Sequence, residues 1–245
     1  MTARNWSDEY TRRVEWIRAL LRESGAEGIV YGNSGGKDSA LAGILCKAAC
    51  DNAVGLIMPC SSQRNFHLDM EDGLAVAAQY GIETRVTDLT AVREQELSVL
   101  QGATDISALA VANLAPRLRM LTLYAVAASE NRLVAGTGNR SEAYMGYFTK
   151  WGDGAHDFNP IGDLTVTEIF AFLAYLKAPQ QIIDKAPSAG LFDGQTDETE
   201  MGVTYQAIDD WILNGKGTEQ DLEVMRRFHD KSEHKRRPIP VYRGE

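Results

Sequence analysis

Residues 28–39 read GIVYGNSGGKDS, an apolar run that breaks into a turn with two adjacent glycines and then into the helical pattern ALAGILCKAA of residues 40–49. A short apolar run bounded by glycine is the mark of a strand buried on both faces. The helix behind the turn is expected from about Ser39 to Ala49. The alternation continues with a strand at Ala53–Met58, a helix at His67–Tyr80 stopped by Gly81, and a strand at Ile82–Leu89. Helices at about Ala91–Leu100 and Ser107–Ala128 come next, with Pro116 expected to kink or split the second, then a strand at Asn131–Gly136. This order predicts an α/β fold, a doubly wound parallel sheet with helices on both faces and right-handed crossovers. An amphipathic helix at Ser7–Glu23 precedes it, and a helical C-terminal region begins at Leu164–Leu176. No repeat or Pro/Gly/Ser-rich linker divides the chain, so residues 1–245 are expected to form one domain.

In such sheets ligands bind at the carboxyl ends of the strands. The turn Ser34-Gly35-Gly36-Lys37-Asp38-Ser39 lies there. Its glycines let the backbone approach an anion, its N–H groups join those of the helix start, and Ser34 and Ser39 add hydroxyls. Asp38 would repel a bare phosphate, which argues for a bridging Mg²⁺. The string is neither a Walker A loop nor a G-x-G-x-x-G turn. It resembles the pyrophosphate loop of the N-type ATP pyrophosphatases, in which ATP is cleaved between its α and β phosphates and AMP is transferred to the substrate.

Bulk composition narrows the field. The 245 residues carry a formal charge of −9, with 44% hydrophobic and 24% charged residues. An acidic chain is a poor non-specific nucleic-acid binder, although the basic cluster Lys231 to Arg237 could hold phosphates on a small ligand. No run approaches the ~20 apolar residues of a membrane span, and the charged N-terminus does not look like a signal peptide. The three cysteines, Cys46, Cys50 and Cys60, read as reduced core residues of a cytoplasmic protein; a sulfur-transfer role is disfavoured because no C-x-x-C is present.

Residues 136–164, GTGNRSEAYMGYFTKWGDGAHDFNPIGDL, carry the more specific signal. They strongly resemble the ammonia-dependent NAD synthetases, whose fold is of the adenine nucleotide alpha hydrolase type. Residues 187–205, PSAGLFDGQTDETEMGVTY, resemble that family's lid loop, and His234-Lys235 its C-terminal signature. The resemblance implies amidation of deamido-NAD by ammonia, with ATP converted to AMP and pyrophosphate through an acyl adenylate. By the same resemblance Gly32, Ser34, Gly35, Gly36, Lys37, Asp38, Ser39, Met58, Thr137 and Ser188 would bind ATP. Asp38 and Glu142 would hold Mg²⁺. Arg117, Phe148, Lys150, Asp157, His234 and Lys235 would bind deamido-NAD, with Asp38, Lys150 and Asp157 central to catalysis. The loop Ala186–Gly202 would close over the intermediate. The family implies a homodimer with the dinucleotide at the subunit interface. Because the synthetase resemblance consumes the chain, free ammonia, or ammonia from a separate glutaminase, is the expected nitrogen donor.

The sequence departs from the family pattern in three places. A family lysine that contacts ATP phosphates is replaced by Val166. Lys37 stands where the family has an uncharged residue, and is expected to compensate. Ala115-Pro116 precedes Arg117 where Lys-Ala is common. Two competing readings therefore stand beside the first: an amidotransferase that adenylylates a related carboxylate, and a nucleotide-binding homologue without turnover.

Overall fold

The computed structural model describes residues 4–60, 63–185 and 197–244, with only the backbone of 63–68. In chain order the elements are α1 (Trp6–Ser24), β1 (Gly28–Gly32), α2 (Lys37–Ala49), β2 (Ala53–Ile57), α3 (Gln63–Tyr80) and β3 (Glu83–Val86). They continue with α4 (Thr90–Gln101), α5 (Ala108–Glu130), β4 (Arg132–Ala135), α6 (Arg140–Met145) and α7 (Val166–Leu176). The C-terminal region holds α8 (Gln180–Asp184), α9 (Asp197–Met201), α10 (Tyr205–Asn214), α11 (Glu219–Lys231) and α12 (Glu233–Arg236).

Among the described residues four parallel strands form one sheet in the order β3-β2-β1-β4. Chain direction across the sheet reverses at β1, because β2 lies on one side of it and β4 on the other. That is a topological switch point, where the carboxyl ends of two strands leave a crevice. The residues of β1 alternate between two cores, as a period of two requires. Ile29 and Tyr31 join α1, α2 and α7 through Val14, Ile17, Leu41, Leu45 and Phe172. Val30 faces the other way with Val54, Leu56 and Val134, under Ala115 and Ala127 of α5. A third core formed by Met145, Val166, Tyr205, Ile208 and Met225 fastens the C-terminal helices to α6 and α7.

Two expectations need correction. Pro116 does not split its helix, for α5 runs unbroken from Ala108 to Glu130. A proline removes one intrahelical N–H and crowds one carbonyl, and the helical turns on either side outweigh that loss. The strand expected at Ile82–Leu89 is shortened to Glu83–Val86; among the described residues this edge strand pairs only with β2, with Glu83 and Val86 exposed and Thr84 and Arg85 half-buried. The cysteines are unbridged; Cys46 and Cys60 are buried and Cys50 is half-buried. Among the described residues no helix is long and apolar enough to cross a membrane.

Candidate active site

The loop after β1 is held from beneath by a residue without a role in the sequence reading. Asn33 is buried; its Nδ2 donates to Gly73 O of α3 at 3.1 Å, and its Oδ1 accepts from Gly35 N at 3.3 Å. Gly35 sits at φ +71°, and a Cβ there would lie 2.0 Å from Asp69 O, so both conformation and space require glycine. Ser34 Oγ donates to Ser39 Oγ at 3.1 Å, and Ser39 Oγ donates to Gly36 O at 3.0 Å. Among the described residues no side chain caps the start of α2, where Gly36 is the N-cap. Its first N–H groups are therefore available to an anion.

The loop after β4 brings the second carboxylate. Asn139 caps α6: its Oδ1 accepts from Glu142 N at 2.9 Å, and Glu142 Oε2 accepts from Asn139 N at 3.0 Å. This capping box fixes the Glu142 carboxylate beside the loop. The remaining Asn139 amide group, Nδ2, donates to Asp38 Oδ1 at 3.1 Å, joining the ends of β1 and β4. On the other side of Asp38, Lys37 Nζ lies 2.8 Å from Oδ2. Lys37 also lies over the Tyr205 ring, 5.6 Å from its centroid, and the Tyr205 hydroxyl donates to Asp197 Oδ2 at 2.9 Å. Burial, and then the nearby Asp38 charge, push the Glu142 carboxyl well above its ordinary range.

Among the described residues no three His, Cys, Asp or Glu side chains stand close enough to hold a metal by themselves. Asp38 and Glu142 nonetheless suit Mg²⁺, a hard cation held by one or two carboxylates together with substrate phosphates rather than by an all-protein cage. The repulsion that raises the Glu142 pKa is the kind that a shared divalent cation relieves.

Across the crevice the wall is built from the 146–154 segment and the end of the chain. Phe148 lies against Gly154, where a Cβ would come within 2.6 Å of its ring. Lys235 Nζ donates to Gly146 O at 2.7 Å and Phe148 O at 2.5 Å, and sits 5.1 Å from the Phe148 centroid. Lys150 Nζ donates to His234 O at 2.7 Å, and Arg117, which is exposed, donates to Lys150 O at 3.4 Å. Asp157 is placed elsewhere. Its carboxylate accepts from Val134 N at 2.8 Å and from the Tyr124 hydroxyl at 3.1 Å, at the edge of β4.

These elements enclose a cavity of about 1220 Å³, larger than the ~300–1,000 Å³ of an ordinary small-ligand pocket. Gly32, Ser34, Gly36, Lys37, Asp38, Ser39, Met58, Thr137, Glu142, Phe148, His234 and Lys235 all line it. Arg117, Lys150, Asp157 and Gly35 do not, and Ser188 lies outside the described residues. Arg119 also lines it; its Nε donates to Met58 O at 3.0 Å, and among the described residues it forms no salt bridge. Cys60, read from sequence as core, is part of the same wall.

The sequence matches the NAD synthase family over residues 9–239. The chain belongs to the NAD synthase family. Its relatives include the NH(3)-dependent NAD(+) synthetase of Carboxydothermus hydrogenoformans, 47% identical over 95% of this chain and 96% of that one. Among solved structures, the NMN synthetase of Francisella tularensis superposes with a TM-score of 0.93 at 38% identity, covering 98% of this chain and 99% of that one. The NH3-dependent NAD synthetase of Campylobacter jejuni, solved with a nitrate ion, gives 0.79 at 29% identity, covering 98% of this chain and 100% of that one. Within the NAD synthase fold Val166 is a buried core residue beginning α7, its N–H donating to Ser141 Oγ at 3.2 Å, and it does not line the cavity. Two cations stand at the loop instead: Lys37 within it, and Lys185, whose Nζ donates to Gly35 O at 3.4 Å.

Proposed function

We propose that the chain catalyses the ATP-dependent amidation of deamido-NAD by ammonia, giving NAD, AMP and pyrophosphate. The observation that carries this reading is one continuous cavity joining the pyrophosphate loop to the Phe148–His234 wall. ATP and a flat aromatic acid can then meet inside it.

The α2 N-terminus, the loop N–H groups and the Ser34 and Ser39 hydroxyls hold the β and γ phosphates, with Thr137 and Met58 along the rest of the nucleotide. The Arg119 guanidinium, which forms no salt bridge among the described residues, lines the same cavity and suits a phosphate. Asp38 and Glu142 would hold Mg²⁺, which would supply neutralisation of phosphate charge. Phe148 stacks the pyridine ring, and Lys150 and Lys235 hold the wall on which it lies. A carboxylate oxygen of the acceptor attacks the α-phosphorus; its P–O bond forms as the bond to the β-phosphate oxygen breaks and pyrophosphate leaves. Ammonia nitrogen then attacks the acyl carbon, the bond to the AMP oxygen breaks, and a proton is lost. The side chains contribute by position and charge, not by covalent bonding.

The acceptor half of the site favours assembly as a homodimer. Val92 and Val99 of α4 and Leu109 and Leu121 of α5 are exposed, and Arg117 projects from the same helix as the last two. A subunit contact there would bury them and draw the exposed Arg117 into the interface. The cytoplasm, where ATP and reduced thiols are maintained, is the compartment this chemistry requires.

A specific observation favours a second acceptor. The superposition with a structure named as an NMN synthetase is closer than that with the Campylobacter NAD synthetase, by TM-scores of 0.93 and 0.79. The same cavity could amidate nicotinate mononucleotide. The test is incubation with ATP, Mg²⁺, ammonium and either acceptor, following amide product and pyrophosphate together. Equimolar NAD and pyrophosphate establishes the first reading, turnover of the mononucleotide alone establishes the second, and pyrophosphate with neither rejects both.

A further inference from the structure

Lys37 is the first residue of α2, at the positive end of the helix macrodipole, where a cation is disfavoured. It is also buried, with a side chain only 6% exposed. A buried ammonium in that position requires compensation, and neighbouring acidic side chains provide it. Asp38 is in direct contact at 2.8 Å, and Glu142 and Asp197 act on the same charge. Tyr205 covers the ammonium and at the same time donates to Asp197. No three of the described carboxylates are arranged to hold a metal.

From this geometry we infer that Lys37 is a built-in cation that neutralises the Asp38 carboxylate until the nucleotide arrives. It keeps divalent metal from binding alone, then passes from Asp38 to the phosphates when metal and ATP enter together. The donor atoms permit the exchange. Asp38 Oδ2 is occupied by Lys37, whereas Oδ1 is held by Asn139, so release of Lys37 frees one oxygen for the metal without loosening the other. The flexible four-carbon stem of lysine allows its ammonium to follow the charge, and its three donors suit a phosphate.

This inference rests on the ATP-using reading above, but its test needs no turnover. Mn²⁺ is titrated into the full chain without nucleotide, with free Mn²⁺ followed by electron paramagnetic resonance. Affinity for ATP with Mg²⁺ is measured separately by calorimetry without acceptor. Lys37→Met is expected to bind Mn²⁺ about tenfold or more tightly than wild type, and ATP about ten- to a hundredfold more weakly. Lys37→Arg, which keeps the charge, is expected to hold Mn²⁺ as weakly as wild type. Should Lys37→Met lose the wild-type melting temperature, Lys37→Gln replaces it with the same expectations. Unchanged Mn²⁺ affinity in a folded charge-removing variant overturns the inference, as does unchanged ATP affinity. A wild type that forms neither amide product while its variants show the Mn²⁺ shift overturns the functional reading and retains Lys37 as the internal cation.

Discussion

Asn139 performs two tasks with one amide, and two substitutions separate them. Its Oδ1 caps α6, while its Nδ2 donates to Asp38 across the sheet crevice. Asn139→Ala removes both. Loss of a cap costs about 1 kcal/mol, and loss of a hydrogen bond to a carboxylate costs about 1.5–3 kcal/mol, the lower end applying because Asp38 is partly solvated. The sum, about 2.5 kcal/mol, corresponds to a fall of roughly 5–10 °C in melting temperature for a chain of this size. Asn139→Ser retains a good capping oxygen but is too short to reach Asp38. It should melt about 2–4 °C above the alanine variant. Affinity for ATP with Mg²⁺, measured by calorimetry, should fall by about tenfold in both, because Asp38 loses its fixed orientation in both. If the serine variant recovers wild-type ATP affinity along with its stability, then Asn139 acts only as a cap, and the link between the two strand ends has no role in binding.

Other consequences are equally direct. Gly35→Ala places a methyl group 2.0 Å from Asp69 O at a positive φ; ATP binding by calorimetry should be lost while circular dichroism still reports the α/β fold. Gly154→Ala pushes on the Phe148 ring from 2.6 Å, so steady-state kinetics should show a severalfold higher KM for the acceptor and an unchanged KM for ATP. For Glu142, whose folded pKa lies above its ordinary 4.5, the folded state binds more protons in that interval. Its contribution to stability is therefore full below the ordinary value and lost as pH rises through the raised one. Melting temperatures of Glu142→Gln measured between about pH 5 and 8 should decline less with pH than those of wild type; a parallel decline would show that the carboxyl is not perturbed.

The parts of the site legible in the sequence are those whose chemistry is local. GIVYG followed by SGGKDS specified a strand end, an anion-binding turn and a carboxylate, and the structure places them at the switch point between β1 and β4. Asn139 was within reach of a local rule, since N-x-x-E ahead of a helix is a capping box; its third bond, to a residue 101 positions away, was not. Asn33 and Tyr205 escaped for the same reason, as Asn33 donates to Gly73 of α3 and Tyr205 covers Lys37 at the start of α2. The spacing R-x-R in α5 offered a hint of Arg119 beside Arg117. Backbone acceptors caused the remaining surprises. Lys150 and Lys235 spend their ammonium groups on carbonyls of residues 146, 148 and 234, and no pattern of side chains reveals which carbonyls a fold leaves unpaired.

Those lysine contacts also order events during synthesis. The phosphate loop emerges from the ribosome early, near residue 35, but the wall opposite it is tied down by residues 234 and 235. Its braces, Gly73 and Asn139, and its second carboxylate, Glu142, are in the chain by residue 142, whereas the acceptor wall waits for the last residues. The last helix is thus the piece that completes the chamber, and nascent chains that stall upstream of it would be unable to join the two halves of the reaction.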